Sequence, residues 1–263
     1  MELLEAELIR SRLSPSTRAW LKDLAVHPEI ASTNAALVDK AWRENIDGSV
    51  SLAERQTAGR GRRGRGWLSP FGRNIAISVG VAIDRPATRL GGLSLAVGLA
   101  TLDAITKIAP CKLELKWPND VWLDRRKLGG ILVEVASVQK PVTVVVGVGI
   151  NVGLRPEDRA NIDQPVADLT EIDEFVSRNR LASALIDSIL DYCRAFEAHG
   201  FEPMRDSWLA YHALHDQPVT IAMGDRYEEG RVCGVTADGA LLVRDASGVR
   251  EYLSGEVSVR PAK

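Results

Sequence analysis

An α+β fold is what the sequence predicts: a mixed β-sheet with helices on one face over residues 1–215, then a small β-barrel over 216–263. Three observations carry this expectation. Strand-like and helix-like stretches are mixed through most of the chain. Two long segments, Arg89–Ile108 and Asn179–Phe196, have the length and apolar character of helices that pack on a sheet. After Asp216 the texture changes to short strands separated by Gly224-Asp225, Asp238-Gly239 and Ser247-Gly248, the turn dipeptides of small barrels.

The elements follow in order. Met1–Leu13 reads as the start of an amphipathic, charged helix. Asn34–Ile46 has helical spacing in Ala36, Leu37, Ala41 and Trp42, with Ser32, Thr33 or Asn34 able to cap it. Ser49–Glu54 alternates like a strand, and Arg73–Ile83 sets Ile75, Ile77, Val79 and Val81 on one side of another. In the helix over Arg89–Ile108, Gly91, Gly92 and Gly98 suggest close packing onto the sheet. Lys112–Lys116 alternates and stops at Trp117-Pro118-Asn119-Asp120, where proline and Asn-Asp force a turn. Gly129–Ala136 and Val142–Val148 are β-rich and joined across Gln139-Lys140-Pro141, a hairpin. Asn179–Phe196 and the shorter Glu202–Ala213 are helices. Pro218–Met223, Arg226–Val235, Ala240–Val243 and Arg250–Leu253 are the strands of the barrel.

Composition excludes several functions. With 45% apolar and 26% charged residues the chain reads as a soluble globular protein, and the run Val142–Val148 is too short to span a bilayer. The net charge of −2 lacks the basic balance of a protein that lies broadly on nucleic acid, so no DNA partner is expected. Three separated cysteines form neither a zinc pattern nor a disulfide framework and fit a reducing cytoplasm, and no signal peptide is visible. His212 and His215 are three apart without a third ligand nearby, so no metal site is expected.

The chemistry gathers in four motifs. Gln56-Thr57-Ala58-Gly59-Arg60-Gly61-Arg62-Arg63-Gly64-Arg65-Gly66-Trp67 packs arginines between glycines. Glycine at this density costs backbone order, so the segment builds neither helix nor strand. It supplies backbone N–H groups and guanidinium forks, donors matched to phosphate oxygens. Lys116 ends an apolar strand at the rigid Trp-Pro turn, a fixed cationic point; its bland reading is a surface lysine snorkelling at a strand end. Lys127 precedes Leu128-Gly129-Gly130-Ile131-Leu132-Val133-Glu134, and Gly147-Val148-Gly149-Ile150-Asn151 ends a buried strand in small residues, as a ligand lying against backbone requires. Each motif alone admits a packing explanation; four in one succession point to a single anion-binding site.

Taken in order, Ser32-Thr33-Asn34, the arginine loop, Lys-Trp-Pro-Asn-Asp, Lys-Leu-Gly-Gly-Ile-Leu-Val-Glu and Gly-Val-Gly-Ile-Asn-Val resemble the catalytic core of biotin–protein ligases, the biotin–[acetyl-CoA-carboxylase] ligases. The resemblance runs from about Pro28 onward and includes the C-terminal barrel, which this family carries in an SH3-like form. Some members add an N-terminal winged helix-turn-helix; about 27 residues precede the matched region here, so the resemblance is to the form without a DNA-binding domain. It implies that biotin is activated by Mg-ATP to biotinyl-5′-adenylate, then passed to a lysine of a biotin carboxyl carrier protein. Mg²⁺ is expected with the ATP. Catalysis would then rest on cations that screen two approaching anions and match charge growing at phosphorus.

The roles implied are these. Arg62 and Lys116 would be catalytic, Lys116 lying between carboxylate and α-phosphate. Arg60, Arg62, Arg63 and Arg65 would close over the ligands. Lys127 would support the adenylate, and Asn151 the adenine side. Ser32, Thr33, Asn34, Gln56 and the backbone of Gly59 and Arg60 would hold biotin, with Gly147 and Gly149 leaving room for its bicycle. Repressor-type members stack a tryptophan from a second loop on the adenine, whereas Val152–Asp168 here holds no aromatic residue, so no residue takes that role. A lipoate–protein ligase shares the adenylate chemistry, but the arginine run and the barrel favour biotin. A nucleic-acid module using the arginine loop would need interleaved aromatics and a basic balance, which are lacking. Monomer and homodimer both suit such a core.

Overall fold

The computed structural model describes residues 2–255 and 257–261, apart from the side chain of Ser258; Met1, Glu256, Ala262 and Lys263 lie outside it. The chain opens with α1 (Ala6–Arg12) and α2 (Pro15–Trp20), then β1 (Asp23–His27), α3 (Thr33–Ala41) and β2 (Ser49–Ala53). After the arginine loop come β3 (Asn74–Ile83), α4 (Leu93–Ile108), β4 (Leu113–Lys116), β5 (Asp120–Leu123), β6 (Arg126–Ser137) and β7 (Val142–Asn151). Helices α5 (Pro156–Ala160), α6 (Arg178–His199) and α7 (Arg205–Ala210) lead to β8 (Pro218–Met223), β9 (Arg226–Val235), β10 (Leu241–Asp245), β11 (Gly248–Tyr252) and β12 (Ser258–Pro261).

Strands β1–β7 make a mixed seven-stranded sheet in the order β1-β2-β3-β7-β6-β5-β4, in which β1 and β2 are parallel and the other neighbours antiparallel. Strands β8–β12 make an antiparallel, barrel-like sheet in the order β11-β10-β9-β8-β12. The predicted α+β class therefore holds. The two long helices cover one face of the large sheet. Helix α4 is apolar almost all round and buries eleven residues, among them Leu95, Val97, Leu99 and Ile105, as a helix lodged between a sheet and α6 must. Valines 144, 146 and 148 of β7 point to this core. Val145 points the other way, into a smaller cluster with Leu37, Val38 and Ala41 of α3. So α3 sits on the opposite face, and the functional site shares that face.

Several local expectations are corrected. The helix predicted over Asn34–Ile46 stops at Ala41, because Trp42 is exposed and has no apolar surface to cover, while Ile46 turns back into the core. Ser49–Ala53 does not alternate: all five residues are buried, since the strand lies between β1 and β3 with both faces covered. Gly91 and Gly92 face away from the sheet; a Cβ on Gly91 would lie 2.6 Å from the Asp238 carbonyl of the barrel, and one on Gly92 2.6 Å from Phe201. Gly98 does meet the sheet, at Leu115. The segment Glu202–Ala213 resolves into a 3₁₀ turn and the short α7. No described helix is long and apolar enough to cross a membrane.

Candidate functional site

The site begins as a patch of small residues on the sheet face that carries α3. Register sets Ser78, Gly147 and Leu132 side by side across β3, β7 and β6, and sets Ala76, Gly149 and Gly130 beside them. Small side chains here leave a hollow where a ligand can approach backbone. At one end stands the start of α3, whose Ser32 accepts from the Ala35 N–H as a helix cap. Next to it Gln56 Oε1 accepts from the Thr33 N–H at 2.9 Å and the Thr33 hydroxyl at 3.2 Å. Asn34 Nδ2 donates to Glu134 at 2.8 Å. Gly147 is required by Asn34: a Cβ there would lie 2.2 Å from Asn34 Oδ1. The room expected above Gly147 and Gly149 is thus taken by protein, Asn34 over the first and Trp67 over the second, where a Cβ would lie 2.7 Å from the indole.

Cations surround this floor. Lys116 ends β4 and Lys127 lies near the start of β6, and both reach Asp120, at 3.6 Å and 2.7 Å. The Lys116 ammonium also stands 5.3 Å from the Trp122 ring centroid. Burial lowers its pKa, Lys127 and Arg65 push the same way, and Asp120 opposes them. The arginine loop closes above. Contrary to the expectation of no regular structure, it pairs Arg60 with Gly66 as an isolated bridge and turns through a 3₁₀ element at Arg62–Gly64. Arg63 at φ 57° and Gly64 at φ 71° make the turn. Burial and the neighbouring Arg65 depress the Arg62 pKa, against the pull of Asp120. Among the described residues Arg60, Arg62, Arg63 and Arg65 donate no side-chain hydrogen bond and enter no ion pair within the chain, so the loop presents uncompensated charge.

The cavity enclosed in this way measures about 1170 Å³. A pocket for one drug-sized molecule is roughly 300–1,000 Å³, so two small substrates fit side by side. Eight basic residues line it (Arg60, Arg62, Arg63, Arg65, Lys116, Arg125, Lys127 and Arg260) against two acidic ones, Asp120 and Asp163. A cavity of this charge holds anions. Asn161–Val166 forms another wall, and Val257 together with Val259 and Arg260 of β12 closes the last side.

Of the residues singled out in the sequence, Ser32, Thr33, Asn34, Gln56, Arg60, Arg62, Arg63, Arg65, Lys116, Lys127, Gly147, Gly149 and Asn151 all line this cavity. Gly59 does not: it is buried behind the loop, where a Cβ would lie 2.6 Å from the Trp67 carbonyl. Asn151 donates its amide to the Ala167 carbonyl at 3.0 Å, which ties down the wall. Sequence reasoning passed over Asp120, though it ends the Lys-Trp-Pro-Asn-Asp motif, and Trp67, though it ends the arginine run. It had no means of finding Arg260, which a separate sheet brings to the site. Among the described residues no three His, Cys, Asp or Glu side chains cluster as a metal site.

Comparisons with known proteins place the chain among relatives of one kind. The model of the biotin/lipoate A/B protein ligase family matches residues 26–151, and that of the biotin protein ligase C-terminal domain matches residues 214–260. The bifunctional ligase/repressor BirA of Salmonella typhimurium is 35% identical over all of this chain and 80% of its own length. The biotin–[acetyl-CoA-carboxylase] ligase of Paracoccus denitrificans is 33% identical over 86% of this chain and 96% of its own. Among solved structures, the biotin protein ligase of Aquifex aeolicus in complex with biotin and ATP superposes with a TM-score of 0.79 at 29% identity, over 92% of this chain and all of that one.

Proposed function

The chain belongs to the biotin–protein ligase family, and from that premise we infer how its residues divide the work. It is an ATP-dependent biotin–[acetyl-CoA-carboxylase] ligase. In the first half-reaction a biotin carboxylate oxygen attacks the α-phosphorus of ATP and pyrophosphate leaves. In the second, the amine of a carrier lysine attacks the acyl carbon, an amide forms and AMP departs. The observation that carries this reading is the excess of eight bases over two acids around a floor of small residues in one two-substrate cavity.

Ser32, Thr33, Asn34 and Gln56 form the polar end suited to a ureido ring, a compact group that both donates and accepts. Lys116 and Arg62 flank the point where carboxylate and α-phosphate meet, and stabilise the charge that develops there. Lys127 stands 5.9 Å from the Trp67 ring centroid, which puts a cation beside an aromatic face suited to adenine. Trp67 fills the place for which Val152–Asp168 offers no aromatic side chain, and Asn151 braces the wall behind it. Arg63, Arg65 and Arg260 serve the triphosphate.

Magnesium fits as an ion that arrives on the nucleotide. Asp120 is the carboxylate nearest the lysines and both of its oxygens already face ammonium groups, so phosphate oxygens and water would supply most of an octahedral shell. Bound there, it would neutralise phosphate charge. We take residues 1–215 as the catalytic unit and 216–263 as the barrel, with a biotin carboxyl carrier domain as acceptor. The test is incubation with biotin, ATP, magnesium and an unmodified carrier domain, read by streptavidin blot. Labelling that depends on ATP is expected; none with biotin, but transfer with lipoate, would move the chain to the sister activity.

A further inference from the structure

Between β7 and α6 the chain makes an excursion whose middle, Asn161–Val166, lines the cavity. Its neck is closed by charge. Arg159, the fourth residue of α5, pairs through Nη2 with Asp168, nine residues on. The Asp168 side chain is fully buried and also accepts from the Leu154 N–H at 3.1 Å and the Thr170 N–H at 3.0 Å. Arg159 donates further to the Val166 carbonyl at 3.1 Å and to Glu171 at 2.9 Å. Glu171 in turn accepts from Arg126 at 2.6 Å, the residue before Lys127. Burial would raise the Glu171 pKa, but hydrogen bonds from Arg126 and Arg159 hold it below its ordinary value. The wall is also laced to β6 by backbone: Lys127 N–H donates to the Pro165 carbonyl and Ala167 N–H to the Lys127 carbonyl, both at 3.0 Å.

Both ends of the cavity-lining segment are therefore fixed by partners within the chain, whereas the four arginine side chains of the loop facing it have no hydrogen-bond or ion-pair partner among the described residues. We propose that Arg159 and Asp168 are positioning residues: their ion pair holds the segment Ala160–Ala167 closed before any ligand arrives, so that the nucleotide wall and the backbone at Lys127 are preformed. This rests on the reading that ATP occupies that side of the cavity. A wall that is closed only part of the time lowers apparent affinity by the fraction closed, and leaves the rate at saturation unchanged. Neither residue lines the cavity, so neither touches the reacting atoms.

The test compares wild type, Arg159→Met and Arg159→Lys; Asp168 keeps its hydrogen bonds from the Leu154 and Thr170 N–H groups in both variants, and far-UV circular dichroism checks that each stays folded. Arg159→Met should raise KM for ATP about tenfold while leaving kcat and the biotin Kd within about twofold. It should also speed amide exchange at Asn161–Ala167 in the ligand-free protein by about tenfold or more. Arg159→Lys, which keeps the charge but not the fork, should fall between the two. Unchanged exchange and unchanged KM for ATP would overturn the proposal. So would a fall in kcat at unchanged KM, which would mean a part in the chemistry, or an equal loss of biotin and ATP binding, which would mean general unfolding. Failure of wild type to form any adenylate would instead sink the reading of the site, and the exchange measurement would still decide whether the neck is latched.

Discussion

Lys116 has little freedom: its side chain is 17% exposed, its ammonium lies 3.6 Å from Asp120, and the Trp122 face is beside it. A charge held so firmly costs no reorganisation when the reaction begins. Lys116→Ala should cut adenylate formation by about 10²–10³, the usual loss for a preorganised donor, and Lys116→Arg should also fail, being larger and more diffuse. Single-turnover pyrophosphate release reads this; a fall under about fivefold would return Lys116 to a snorkelling strand-end lysine. Arg62→Gly removes a charged fork worth about 1.5–3 kcal/mol. It should release adenylate to bystander lysines, seen as biotin on serum albumin. These two residues were legible because motif chemistry is local: a lysine at a Trp-Pro stop and arginines among glycines announce themselves. Asp120 was not, because its importance lies in two lysines that reach it from neighbouring strands. Gly147 was legible as a small residue but not in its reason, which is the Asn34 side chain on another element.

At the scale of elements, the two loops over the cavity differ in kind. Anchored at its start by Gln56, the arginine loop holds a bridge at Arg60 and Gly66 and one tight turn beyond it, and its four guanidinium groups repel one another. An anion relieves that repulsion. Amide exchange at Arg62–Arg65 should therefore be rapid without ligand and slow with biotin and ATP; equal protection in both states would count against this. Helix and strand identities were readable from periodicity wherever one face meets the core. In β2 the strand identity held and only the expected alternation failed, because burial there is two-sided. Strands β1 and β5 gave no signal, each being only four or five residues long and defined by neighbours.

At the scale of the molecule, a buried pair ties the parts together. Arg178 and Glu54, 3% and 5% exposed, lie 2.7 Å apart, and Arg178 also donates to the carbonyls of Asn74 and Glu2. Arg178→Met leaves the Glu54 carboxylate buried without its counter-ion and should cost about 3–5 kcal/mol in urea unfolding. His212 supplies a pH dependence. Burial, aided by His215, lowers its pKa to about 3, and neither ring nitrogen finds a partner among the described residues. Its ordinary value is about 6.5, so the ring is neutral in both states above that pH and stability is full. As pH falls, the unfolded chain takes the proton first, and stability drops by about 1.4 kcal/mol per pH unit toward pH 3. The gap in unfolding free energy between wild type and His212→Phe should therefore be flat above about pH 7 and approach that slope between about pH 5.5 and 4. The Arg178 pair was not visible in the sequence, because its contacts join residues more than a hundred positions apart, and the burial that perturbs His212 comes from the fold.

The last strand has a temporal meaning. Among the described residues strand β12 pairs only with β8 and brings Arg260 to the cavity, while every other wall is complete by Asn151 or Ala167. Domains generally fold during synthesis in order from the N-terminus. A nascent chain can thus assemble its large sheet while the final wall is still being translated. Trp117, whose indole donates to the Gly239 carbonyl at 3.0 Å, stays uncapped until the barrel docks. Half-made enzyme on the ribosome would then hold a reactive acyl phosphate poorly, and competence would arrive only once β12 has emerged and paired with β8. A stalled nascent chain ending before β12 should accordingly form little adenylate, and puromycin release of such a chain should not restore it, whereas a released chain that includes β12 should form it.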